Sequence, residues 1–195
     1  SGRDSLAAFA IGAEVACRLS MSVHPWHYDA GWHITGTAGV FGAVAGVGWL
    51  LGLTSDQMFN ALATGGTQAS GVREVFGSDT KALHPAKAAS NGLQAALLAK
   101  AGFTGPDDII GGRRGFWEVL SAAGHSEDEL NGGWGERWAF ANNGLKPYAN
   151  GVVSHPIQDA IIKLRNNHNL KPENVAAIKA HVHPLVLELM NRAEP

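Results

Sequence analysis

Three stretches of this chain carry side chains that could move a proton or hold an anion. Gly31-Trp32-His33-Ile34-Thr35-Gly36 runs into a glycine-dense segment from Thr37 to Leu53, and no Asp, Glu, Lys or Arg occurs between Asp29 and Asp56. A His beside threonines at the edge of so apolar a run is expected at a pocket wall, where an imidazole can take or hold a proton. Thr80-Lys81-Ala82-Leu83-His84-Pro85 places Lys81 and His84 one turn apart on one helix face, at the N-terminal end of that helix. Helix N-termini favour anions, and an ammonium group adds charge for a carboxylate. Lys146-Pro147-Tyr148 followed by Ser154-His155-Pro156 repeats the theme: a lysine on an extended loop, then a His at a helix start. Singly, each stretch also fits exposed side chains on a surface helix. Together they suggest a small-molecule enzyme that handles carboxylates.

The elements that must position these groups read as helices joined by short glycine turns. Asp4 is expected to cap a helix from Ser5 to Ser20, with Leu6, Phe9, Ala13 and Ala16 near helical spacing. After a His-, Trp- and Pro-rich loop, a second helix is expected over Thr37–Leu51, stopped by Gly52. Thr54 and Gln57 form a capping box for a helix ending near Gly65-Gly66. Lys81–Ala101 is the longest candidate, with Leu93, Leu97 and Leu98 on its buried face and Gly102 as its stop. Thr104-Gly105-Pro106-Asp107 opens a short helix, and Ser126 with Glu129 forms a further box. Ser154 caps a helix whose stripe is Ile157, Ala160, Ile161 and Leu164. Lys171-Pro172-Glu173 breaks the chain, and alternation from Val175 to Pro184 predicts a single β-strand. The fold class is mainly α.

Composition removes several alternatives. With 45% hydrophobic and 16% charged residues over 195 positions, the chain is globular and able to bury a core. A net charge of −2 gives no electrostatic footprint for nucleic acid. Cys17 is the single cysteine, so these residues form no internal disulfide and suit a reducing, cytoplasmic setting. No signal-peptide pattern is read at the N-terminus. Gly36–Leu53 is about long enough to cross a bilayer, but Gly, Ala, Thr and Val outweigh Leu, Ile and Phe, so a buried helix packed closely by its glycines is expected instead. The nine histidines invite a metal reading, but the His24-Pro25-Trp26-His27 spacing fits no metal motif, and solvated loop histidines are expected there. Gly42, Gly46 and Gly48 fall inside a helix rather than between strand and helix, which excludes a dinucleotide fingerprint or P-loop. Gly111-Gly112-Arg113-Arg114-Gly115 reads as a turn with solvated arginines, and Cys17 as a residue on a core face.

The order of these pieces resembles the MmgE/PrpD family, which includes 2-methylcitrate dehydratase, cis-aconitate decarboxylase and related epimerases. The resemblance rests on Gly31 to Gly36 with Gly39 and Gly42; on Ser70-Gly71 ahead of Thr80 to Pro85; and on Ala88-Ala89 with Asn91-Gly92-Leu93. It continues through Gly102 to Pro106, Gly115-Phe116, and Lys146-Pro147-Tyr148 leading to His155 and Asp159-Ala160. It implies a helical domain over residues 1–170, with 171–195 beginning an α/β lid. It further implies a homodimer, or pairing with a complementary chain, that acts on small di- or tricarboxylates without metal or other cofactor. The chemistry would be proton transfer next to a carboxylate, with dehydration, decarboxylation or epimerisation as outcomes. On that pattern His33, Lys81 and Lys146 match active-site positions, with Thr35, His84 and His155 as weaker substrate-binding candidates.

The chain departs from the family in two ways. Ala149-Asn150-Gly151 stands where relatives often carry Pro and Cys, which alters the expected pocket rim. The chain is also far shorter than the family: it starts with the helical domain under way, ahead of which the resemblance implies an acidic residue and another His. Three readings therefore stand: a lyase or isomerase or a piece of one, a non-catalytic carboxylate-binding remnant, and a helical module that docks a partner.

Overall fold

The structure is a computed structural model that describes residues 1–190. Packing divides the chain into two units, Ser1–Asn143 and a second beginning at Gly144.

The first unit is built from α1 (Gly2–Ser22), α2 (Trp26–Asp29), α3 (Ile34–Thr37), α4 (Gly39–Leu50), α5 (Ser55–Gly66), α6 (Thr80–Lys100), α7 (Phe116–Leu120) and α8 (Glu127–Asn131). α4 lies at its centre, because its glycines let neighbouring helices come close. A Cβ on Gly42 would stand 2.5 Å from the Gly12 carbonyl oxygen of α1, and one on Gly92 of α6 would stand 2.4 Å from Ala43 Cβ. On Gly65 of α5 it would meet Val44 Cγ2 at 2.6 Å. The apolar segment is thus a packed interior helix, as its composition implied. Leu19, Val23, Val40, Phe41, Phe116 and Trp117 complete the main core.

This close approach corrects the expected burial of two helices. α6 buries Ala88, Asn91, Gly92, Ala95, Ala96 and Ala99, while Leu93 and Leu97 are exposed. Against a neighbour held at backbone distance only small side chains fit, so the leucines point elsewhere. On α1, Leu6 and Phe9 are likewise exposed, and Ala8, Gly12, Glu14, Arg18 and Leu19 form the buried face. Asp4 is not the cap but the third helical residue: its amide donates to Ser1 Oγ and its carboxylate accepts from the Ser1 amine. The Thr54–Gln57 box is present in both directions, and Gly52 and Gly102 adopt positive φ (65° and 94°) past the ends of their helices. No helix forms at Thr104–Asp107. Asn60 Oδ1 accepts the Gly105 amide and Asp108 Oδ1 accepts those of Ile110 and Gly111, side-chain bonds that compete with a helical ladder.

Among the described residues, the helix long and apolar enough to cross a membrane is α1 rather than the glycine-dense segment. Yet α1 carries a buried ion pair. Arg18 Nε donates to Glu14 Oε1 at 2.5 Å, and the guanidinium also donates to the carbonyls of Leu130, Gly132, Gly133 and Arg137 while stacking over Trp134. Glu14 in turn accepts the amides of Ala139 and Phe140. The pair therefore satisfies the irregular 130–140 backbone and pins it to α1. Burial pushes the Glu14 carboxyl up, but the Phe140 and Ala139 amides and Arg18 outweigh it and hold it below its ordinary 4.5.

In the second unit α9 (His155–His168) ends at Asn169 in the left-handed conformation (φ 49°), and α10 spans Pro184–Met190. The Ser154 hydroxyl sits at the start of α9 but donates to Asn150 Oδ1 and the Gly151 carbonyl instead of capping an amide. The strand expected over Val175–Pro184 is absent from the described residues, with Pro184 already helical. Among the described residues no second strand pairs with this segment. Ile178 and Val182 instead line a groove with the predicted α9 stripe of Ile157, Ala160, Ile161 and Leu164.

Two stability outcomes follow from this packing. Arg18→Ala strands a buried carboxylate and several carbonyls, and is expected to lower unfolding free energy by about 3–5 kcal/mol in urea titrations. Because Glu14 is depressed in the fold, its contribution is complete above pH 4.5 and fades as pH falls below that value. A loss under about 1 kcal/mol would contradict the anchoring role. Gly42→Ala must push α1 and α4 apart and is expected to cost about 1–3 kcal/mol, read as a lowered Tm; unchanged melting would contradict the close packing.

Candidate functional site

His33 is set by backbone pairing before any side chain acts. The segment around Trp32 forms an isolated antiparallel bridge with Val72, the His33 amide donates to the Gly71 carbonyl at 2.9 Å, and the Arg73 amide donates to the Gly31 carbonyl at 2.8 Å. His33 then serves as the cap residue of α3, in extended conformation, with its side chain buried. α6 brings His84 from its first turns, and the two Nδ1 atoms stand 2.7 Å apart.

Glycines make room for this contact. A Cβ on Gly71 would stand 2.9 Å from the His84 ring, and one on Gly36 would lie 2.4 Å from the Ser70 carbonyl oxygen and 3.3 Å from His84 Cβ. Gly71 also has φ of 129°, which L side chains rarely adopt. Phe76 meets His33 edge-on at 4.8 Å, and the ammonium of exposed Lys81 sits 4.6 Å above the same Phe76 ring. His33, His84 and Lys81 thus form one cluster of the first unit. Thr35 is exposed at the same turn, and its side chain makes no hydrogen bond among the described residues.

Burial, then the nearby His84, Lys81 and Arg73, push the His33 imidazole from its ordinary 6.5 down to about 4. At neutral pH it is therefore an uncharged ring that can accept or pass a proton, set among cations. An anion entering this field would be attracted to Lys81 and would draw the His33 pKa upward.

Lys146 and His155 belong to the second unit. Lys146 is exposed and donates to the Asn150 carbonyl at 3.2 Å. His155 opens α9, is buried, meets the Tyr148 ring edge-on at 5.2 Å, and its Nε2 has no hydrogen-bond partner among the described residues. The Tyr148 hydroxyl donates to Asp159 Oδ1 at 2.5 Å, which raises the phenol pKa.

His27 was missed as a structural group. It is fully buried, with Nδ1 2.6 Å from the Leu120 carbonyl and Nε2 2.7 Å from Thr37 Oγ1, which corrects the solvated-loop reading. A carbonyl only accepts, so Nδ1 carries the proton and the Thr37 hydroxyl donates to Nε2. Burial lowers the His27 pKa. His27 thereby ties α2, α3 and α7 together behind His33. Its partners lie far along the chain, and no local spacing announces them. Cys17 is only partly buried and accepts from Asn143 Nδ2. Among the described residues no three His, Cys, Asp or Glu side chains are grouped to hold a metal ion.

A proton titration of His33 followed by NMR is expected to show it neutral through pH 6.5 and charging only near pH 4. Between these values the unfolded chain takes up that proton first, so stability falls as pH drops through this window. An ordinary midpoint near 6.5 would contradict the buried, cation-flanked environment.

The family described as the MmgE/PrpD N-terminal domain matches residues 1–128. Cis-aconitate decarboxylase of Aspergillus terreus is 32% identical over 94% of this chain and 39% of its own length. Cis-aconitate decarboxylase of Mus musculus is 28% identical over 97% of the chain and 39% of its own length. The Homo sapiens protein of that name is 32% identical over 60% of the chain and 24% of its own length. The chain thus spans about two-fifths of the length of the first two relatives. The match over residues 1–128 covers the whole His33, His84 and Lys81 cluster, and the chain belongs to the MmgE/PrpD family.

Proposed function

We propose that this chain supplies part of the carboxylate site of a lyase or isomerase acting on a small di- or tricarboxylate. The observation that carries the proposal is the buried, neutral His33 hydrogen-bonded to His84, with the Lys81 ammonium held over the adjoining Phe76 ring. Proton transfer beside a carboxylate needs a base or acid near the carbon and a cation for the charge left there. His33 has the first role and Lys81 the second. The bound polyanion offsets the cations that depress His33 and raises its pKa toward the working range. The decarboxylases among its relatives favour loss of CO₂, in which the C–C bond breaks, its electron pair stays on carbon, and a proton is delivered to that carbon. Dehydration and epimerisation need the same two groups. By family resemblance Lys146, His155 and Thr35 are proposed as further carboxylate and proton groups.

A second reading is favoured by exposed apolar side chains on the first unit: Leu6 and Phe9 on α1, and Trp49 and Leu50 on α4. Such a face suits a partner chain, and size in solution separates the readings, since a docking module alone would associate without binding acids. Turnover of a citrate-like acid, followed as water or CO₂ released, supports the enzyme reading; saturable binding without turnover would remove catalysis from this chain. Lys81→Ala is expected to weaken dicarboxylate binding by about 1–3 kcal/mol in calorimetry, the scale of a lost charge-assisted contact. An unchanged affinity would contradict the role given to Lys81.

A further inference from the structure

The contact between His33 Nδ1 and His84 Nδ1, 2.7 Å long, constrains where protons can be. A ring nitrogen either bears a hydrogen and donates, or is bare and accepts. Two bare nitrogens at that distance would oppose lone pairs, and two protonated ones would oppose N–H groups, so one proton lies between the rings. Each neutral imidazole has a single N–H. The ring that donates from Nδ1 therefore has a bare Nε2, and the ring that accepts has an Nε2–H. Burial, with the positive charges of Lys81 and Arg73 nearby among the described residues, opposes a further charge on the His33 ring. The frame is fixed as well: the His33 amide is bonded to Gly71, and Gly71 and Gly36 close over the His84 ring.

We infer that His84 is the proton partner of His33, and that the two rings work as one proton relay. A proton arriving at the bare Nε2 of the donor ring is balanced by passage of its Nδ1 proton to the other ring, whose Nε2–H departs. Both rings change tautomer, one proton enters, one leaves, and neither ring is left as an imidazolium. The relay's part in turnover rests on the function proposed above: His33 faces the reacting carbon, and His84, a positioning residue, sets its tautomer and supplies or drains the proton.

Ring ¹⁵N NMR of the full chain with labelled histidine reads the pair with no substrate present, and so independently of the functional proposal. One of the two rings is expected to be protonated only at Nδ1 and the other only at Nε2. His84→Ala should release His33 into a mixture of tautomers. His84→Asn places an amide near the Nδ1 position and should restore a single tautomer. Both rings of the unmodified chain protonated at Nε2 would overturn the pairing. With a tricarboxylate as substrate, His84→Asn holds His33 but passes no proton onward, so kcat should fall about a hundredfold with KM unchanged. An unchanged kcat would overturn the relay. No turnover by the unmodified chain, with the tautomers as expected, would overturn the functional reading and the relay's part in it while the pairing stands.

Discussion

The organisation of the first unit depends on backbone-distance packing around α4. Gly42 against Gly12, Gly92 against Ala43 and Gly65 against Val44 leave no space for a Cβ, so α1, α5 and α6 are drawn onto one central helix. Such contacts fix a helix's position more narrowly than larger side chains would, because there is no rotamer freedom to absorb a shift. The consequence for the site is direct. α6 is held against α4, and α3 leads into α4, so His84 and His33 are delivered to each other by the same packing that forms the core.

The site adds polar constraints to that frame. The bridge between Trp32 and Val72 holds the backbone of His33, and His27 fastens α3 from behind through Thr37. The result is an uncharged His33 imidazole hydrogen-bonded to His84 beside cations, in a buried setting that makes charge on the His33 ring costly.

Much of this was legible in the residues, and the failures have physical causes. Helix ends were readable where a cap or stop acts locally, as at Thr54 with Gln57, Gly52 and Gly102. Burial was misread on α6 because periodicity assigns large apolar residues to the core, whereas glycine-mediated approach admits only alanines. The Val175–Pro184 alternation predicted a strand that finds no pairing neighbour among the described residues, and Ile178 and Val182 line a groove with α9 instead. His33, Lys81 and His84 were identified by type and spacing. The family resemblance placed them at one site, but the direct hydrogen bond between His33 and His84, 51 residues apart, was not legible from local spacing. The available signal was Gly36 and Gly71, which sit beside these motifs and prove to be the space that His84 occupies. Glu14 and Arg18, four apart on α1, were a readable pair that went unremarked.

The central claim is that the His33, His84 and Lys81 cluster receives a polycarboxylate. Chemical-shift mapping of the imidazole and lysine Nζ resonances during titration with a tricarboxylate tests it most directly. The account predicts saturable shifts confined to His33, His84, Lys81 and their neighbours, and none with an uncharged analogue of equal size. Binding that leaves these three side chains unperturbed would contradict it.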